Sequence, residues 1–115
     1  MHELSIAMSI IDIAADELER QGGGCIVAVH LKLGPLSGVV EEALTSAFEL
    51  AREGSVLAQS TLEIESVPVV VFCTQCQSEQ TVKSLQDLCC SKCGTYGSEI
   101  VRGRELEVVA MELES

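Results

Sequence analysis

Two cysteine pairs, CTQC at residues 73–76 and CSKC at 90–93, constrain this chain more than any other feature. They bracket SEQTVKSLQDL, a polar stretch with too few apolar side chains to build a core of its own. Two such knuckles can set four thiolates at the corners of a tetrahedron, the arrangement Zn²⁺ accepts in closed structural sites. Zinc binding by a module of this kind is worth on the order of 10 to 16 kcal/mol near neutral pH, so the metal, not a core, sets the fold of the segment. Gly94, directly after the second pair, lets backbone amides turn towards the sulfurs.

Other thiol chemistries fit less well. A redox C-x-x-C pair would sit in a thioredoxin-like unit, which is missing. Iron in four thiolates, as in rubredoxin, satisfies the same ligand set, but the packed aromatics of rubredoxins are absent from a chain that is 3% aromatic. With every coordination position filled by protein sulfur, the metal's role is structural. Cys89 would replace Cys90 as a ligand only if the register slipped and reads more readily as a small buried or bystander thiol, and Cys25 reads as a small core residue.

A length of 115 residues allows one compact domain with a small appended module, and 47% apolar residues with so few aromatics demand an aliphatic core. Eighteen acidic residues against seven basic ones give a net charge of −11. Such a surface repels nucleic-acid phosphates and anionic lipid and attracts cations and basic partners. Glu3, Asp12 and Asp16 interrupt the first apolar run and no basic region precedes it. The expectation is a cytoplasmic protein without signal peptide or membrane span, whose cysteines stay reduced.

From Glu3 to about Gln21, Leu4, Ala7, Met8, Ile11, Ala14, Ala15 and Leu18 recur at helical spacing, and Gly22, Gly23 and Gly24 end the helix. Cys25 to Leu33 alternate as a half-buried strand, with Val27, Val29, Leu31 and Leu33 on one face and Ala28, His30 and Lys32 on the other. Gly34 and Pro35 break it, and Ser37 is the expected N-cap of a second helix. That helix is lined by Val40, Leu44, Ala47, Phe48 and Ala51 and closed by Gly54. Leu62 and Ile64 mark a second strand, which VVVF extends beyond Pro68. In RELEVVAMELE the glutamates change phase between 107 and 112, which calls for a bulge near Val109 or Ala110. The fold class is α+β, a small mixed sheet with two helices, plus an inserted zinc-ribbon-like module with two Cys-x-x-Cys knuckles.

The start, MHELS, places a histidine beside the α-amine of Met1. Imidazole, the His2 amide and the preceding amine can close fused chelate rings on one cation, with a fourth donor from the amide or carboxylate of Glu3. Planar, nitrogen-rich coordination suits Ni(II) and Cu(II). The first amides of a helix have no intrahelical acceptor, so a metal can take their nitrogens without breaking helical hydrogen bonds. By spacing alone a histidine here is more often an exposed bystander than a ligand. His30, on the polar face of a strand, reads as an ordinary hydrogen-bonded histidine. No nucleophile with an adjacent base and no phosphate-binding glycine loop is present, so the chain is not read as an enzyme.

MHELS, GPLSGVVEEAL, LEIESVP, CTQC, CSKCG and GRELEVVAMELE, in this order from the first residue nearly to the last, together resemble the HypA/HybF family of hydrogenase nickel-insertion proteins. The resemblance implies a metallochaperone for [NiFe] hydrogenase maturation that in some organisms also serves urease. It implies a nickel site at Met1, His2 and Glu3, and a structural zinc site at Cys73, Cys76, Cys90 and Cys93. The cofactors implied are Ni(II), as cargo, and Zn(II). Implied partners are the accessory GTPase HypB, the hydrogenase large-subunit precursor and urease accessory proteins, with a homodimer left open. Residues 1–71 with 104–115 would form the nickel-binding α+β domain and 72–103 the zinc-binding domain. Some members place a histidine beside the second cysteine pair; here Gly94 and Thr95 follow Cys93.

Overall fold

Helix α1, Glu3–Arg20, ends where Gly22 adopts a left-handed φ of 82°. The Gly23 amide then reaches back to Leu18 O and the Gly22 amide to Glu19 O, which satisfies carbonyls the helix leaves open. In the computed structural model, residues 2–97 and 99–114 are described. The buried face of α1 is Ala7, Ile10 and Ala14, whereas Leu4 and Met8, expected inside, are 46% and 56% exposed. Apolar residues run almost round this helix, so periodicity defines a stripe but does not choose between adjacent ones. Packing against helix α2, Glu41–Ala51, selects the stripe of small residues, where two backbones can approach.

Leu44 and Phe48 are the buried residues of α2. Its N-cap is Val40, with no side-chain cap, and not Ser37, which lies in a single 3-10 turn, Pro35–Ser37. The residues between Ser37 and the helix absorb the turn instead: Gly38 takes a φ of 83°.

Strand β1, Cys25–Leu33, is central to a sheet ordered β2–β1–β6, with β2 Thr61–Ser66 and β6 Leu106–Glu114. Burial in β1 does not follow the single alternation expected, since Ile26 and Ala28 are buried as well as Val29, Leu31 and Leu33. Cys25, expected in the core, is exposed, because it opens the strand right after the glycine turn. Buried Ser60 donates its hydroxyl to Ile26 O, so its burial leaves no polar atom unpaired. In β6 the half-buried positions shift from Leu106 and Val108 to Met111, a change of phase across Val109 and Ala110, where a bulge was expected.

The chain divides into two compact units. The first holds residues 1–32, 38–65 and 107–115; the second holds 33–37 and 66–106 and so encloses the 72–103 cysteine segment. VVVF does not prolong β2 as expected: Val70–Cys73 form β3, in the middle of a second sheet. Strand β3 pairs antiparallel with β4, Ser78–Thr81, and with β5, Glu99–Arg102. Val67, Pro68 and Val69 intervene, and proline supplies no amide to continue a ladder. This unit is tied by Gly34 N–H to Glu105 O and Leu36 N–H to Gly103 O, at 2.8 Å each. Side chains would not fit there: a Cβ on Gly34 would lie 2.2 Å from Gly103 O, and one on Gly97 2.6 Å from Val71 Cβ.

Candidate metal centres

Strand β3 delivers Cys73 at its end, and the tight turn into β4 carries Cys76; Cys90 and Cys93 sit on a matching turn between Val82 and Tyr96. The turns share a device. Gln77 and Gly94, each directly after a pair, both have left-handed backbones, with φ of 55° and 83°. Sequence reading found Gly94 but not Gln77, although their equivalent positions after the two pairs were a usable signal. Amides then face the sulfurs: Cys76 N–H points to Cys73 Sγ and Lys92 N–H to Cys90 Sγ, each at 3.4 Å.

The four sulfurs all lie within 4.8 Å of one another, with Cys73 and Cys93 3.4 Å apart and Cys76 and Cys90 3.9 Å apart. Zinc–sulfur bonds of about 2.3 Å set tetrahedral sulfur–sulfur edges of about 3.8 Å, so the cluster fits a zinc ion after small adjustment. Cys73 and Cys90 are buried, Cys76 is half-buried and Cys93 exposed.

Electrostatics point the same way. The Thr95 hydroxyl, 3.3 Å from Cys93 Sγ, and then the Thr95 amide hold the Cys93 thiol down to about 6. The Cys93 and Lys92 amides lower Cys90, against an opposing effect of burial. Cys76 is pushed up to about 12, first by its hydrogen bond with Cys93 and next by burial. Crowded thiols cannot all ionise unaided, and a divalent cation removes the conflict by taking the place of the shared protons. Thr95 is a second feature the sequence reading missed. Cys89 is half-buried and lies outside the cluster; its thiol is raised by the Asp87 side chain and then by burial.

Among the described residues no other group of three or more histidine, cysteine or acidic side chains converges. His30 Nε2 lies 3.4 Å from Glu112 Oε2, an ordinary polar pairing on the sheet. His2 is exposed and is the N-cap of α1, extended at φ −90° and ψ 115°, with no side-chain cap bond. Its carbonyl accepts from the Ile6 amide at 3.2 Å. Met1 lies outside the described residues. Glu3 reaches across to α2 at the surface: its carboxylate accepts from its own amide and, at 3.3 Å, from the Val40 amide at the start of α2, and these two bonds, in that order, lower its pKa. The two helix N-termini are thus joined through one carboxylate, a link between residues 37 positions apart that no local pattern announces.

Two helices on a small sheet, with four cysteines in two pairs gathered as a metal site, define a small metal-binding protein. The family described as "Hydrogenase/urease nickel incorporation, metallochaperone, hypA" matches residues 1–113, and the chain belongs to it. It is 49% identical over 112 residues to the hydrogenase maturation factor HypA of Chloroflexus aurantiacus, covering 97% of this chain and 98% of that one. The Chloroflexus aggregans factor is 46% identical over the same share. The solution structure of the Ni metallochaperone HypA from Helicobacter pylori superimposes with a TM-score of 0.66 at 26% identity, over 98% of this chain and 97% of that one. A further solution structure of a HypA protein gives 0.73 at 27% identity, over 99% and 97%. The family is one of metallochaperones and maturation factors rather than enzymes. No described helix is long and apolar enough to cross a membrane.

Proposed function

We propose that this chain binds Ni(II) at its N-terminus and delivers it during maturation of [NiFe] hydrogenase, with urease as a second client, in the cytoplasm. Family membership supports the metal and the process. The observation that carries the site is the placement of His2: exposed, at the open end of α1, beside amides with no intrahelical acceptor. The Met1 amine, the His2 amide and the His2 imidazole wrap the ion. Glu3 supplies the fourth donor from its amide or its carboxylate, which are bonded to each other here, the carboxylate also holding the Val40 amide.

A solvent-open terminus releases its ligands one at a time, so an acceptor can enter as each donor leaves. Cys73, Cys76, Cys90 and Cys93 hold zinc, which stiffens the second unit. The accessory GTPase HypB and the hydrogenase large-subunit precursor are the partners in this reading. Copper binds nitrogen-rich planar sites more tightly than nickel, so selectivity comes from metal supply and from partner recognition.

Titration calorimetry on untagged protein beginning at Met1 tests the site. His2→Ala, or a peptide appended ahead of Met1, is expected to abolish tight nickel binding while zinc content stays the same. Unchanged nickel affinity in either variant defeats the proposal.

A further inference from the structure

Strand β6 is an edge strand, with β1 on one side and no strand beyond it among the described residues. It is nine residues long and leaves Val109 and Leu113 47% and 40% exposed. Beside it runs a groove lined by Ile13, itself 47% exposed, and Glu17 of α1 and by Val109, half-buried Met111 and Leu113 of the strand. A long apolar edge is a pairing template that proteins cover, shorten or charge. Here its exposed charges are all acidic: Glu107, Glu112 and Glu114, with Glu112 turned to His30 of β1. Pairing two copies through β6 would bring glutamates of both onto one ladder, where like charges destabilise. The unit that carries the strand has fourteen acidic and three basic residues, which adds to that repulsion. Complementary charge reverses the sign of every one of these contributions.

We propose that the open edge of β6 and the groove beside Ile13 receive an extended segment of a protein partner, apolar and basic by turns, as a fourth strand of the sheet. Backbone hydrogen bonds supply the pairing, Val109, Met111 and Leu113 take alternate apolar side chains, and the glutamates select lysine or arginine between them. None of the residues that form this surface is a candidate metal ligand.

The test is a titration of isotope-labelled, zinc-loaded, full-length protein with a short peptide of alternating lysine and valine, followed by backbone NMR. Shifts and slowed amide exchange are expected at residues 108–113 and around Ile13 and Glu17. A glutamate–valine peptide is expected to bind at least about tenfold more weakly. Replacing Val109 and Leu113 together by lysine should weaken the basic peptide by about tenfold, with helical circular dichroism and zinc content showing that the fold is kept. Glu107→Gln with Glu114→Gln should weaken it several-fold and flatten its salt dependence. The proposal is overturned by absence of shifts at millimolar peptide, by equal binding of the acidic peptide, or by shifts spread over other acidic surfaces that neither variant alters. Concentration-dependent shifts at β6 without peptide, the mark of a second copy as occupant, overturn it as well.

Discussion

The two compact units keep their shape by different means. The helix-bearing unit has fourteen acidic residues against three basic ones, so the whole net charge of −11 resides there, while the cysteine unit has four of each. The first unit offsets that repulsion with a core of large aliphatics and one aromatic: Phe48, Leu44, Leu57, Ile26 and Leu31 are all at most 2% exposed. In the second, the fully or nearly buried side chains are Leu33, Val67, Val69, Val70, Val71, Cys73 and Cys90. A handful of valines cannot offset the chain entropy of a unit that size, and thiols take up the positions where larger apolar groups would sit. Burial holds one unit; in the proposed zinc site, coordination holds the other.

The largest expected effect breaks this contrast directly. Stripping the metal with a strong chelator should remove stabilisation on the order of 10 kcal/mol or more from the second unit. Its amide dispersion should collapse while the helical circular dichroism of the first persists. Retention of a dispersed β3–β5 spectrum without metal would show that burial suffices there too. In the opposite direction, Phe48→Ala should cost ~3–5 kcal/mol in urea unfolding followed by helical signal, without changing the zinc bound per chain.

Acidity sharpens the picture of the cluster. While the unit keeps its folded shape, the Thr95 hydroxyl and then its amide lower the Cys93 thiol to about 6, below the ordinary thiol value of about 8.5. Its ionisation therefore stabilises the folded unit above that ordinary value, and the contribution is lost as pH falls towards about 6. Iodoacetamide present at neutral pH while a chelator withdraws the metal, so that alkylation competes with opening of the still-folded unit, should alkylate Cys93 before Cys76, which is pushed up to about 12. Mass spectrometry of the digest gives the order, and Thr95→Val should slow the reaction of Cys93. The smallest effects concern the two left-handed positions. Gly94→Ala should cost ~1–2 kcal/mol of stability in the zinc-bound unit, whereas Gln77→Gly, which relieves a strained backbone, should change it by under ~1 kcal/mol. Equal effects would mean that the knuckles are not equivalent.

Much of this architecture is legible in the residues because it is local. Glycines at 22–24 stop α1, alternation marks β1, and two C-x-x-C pairs mark a tetrathiolate site, each signal arising from neighbours in sequence. Errors fall where several local answers are equally good. Ser37 is a sound cap chemically but the helix starts after Val40, Leu4 and Met8 belong to a plausible stripe that packing did not use, and Cys25 is small and apolar yet exposed.

What the sequence determined alone is the ligand chemistry: four sulfurs in two turns, a histidine next to the first residue, and a strongly acidic chain. The tertiary structure decided which partners those groups meet. It turned the Glu3 carboxylate onto the Val40 amide, assigned Val70–Cys73 to the second sheet, and, among the described residues, left β6 at the edge of its sheet. The reason is range. Coordination and turn geometry are set within a few residues, whereas the choice of face, edge or distant amide rests on small energy differences between packings that only the assembled chain can compare.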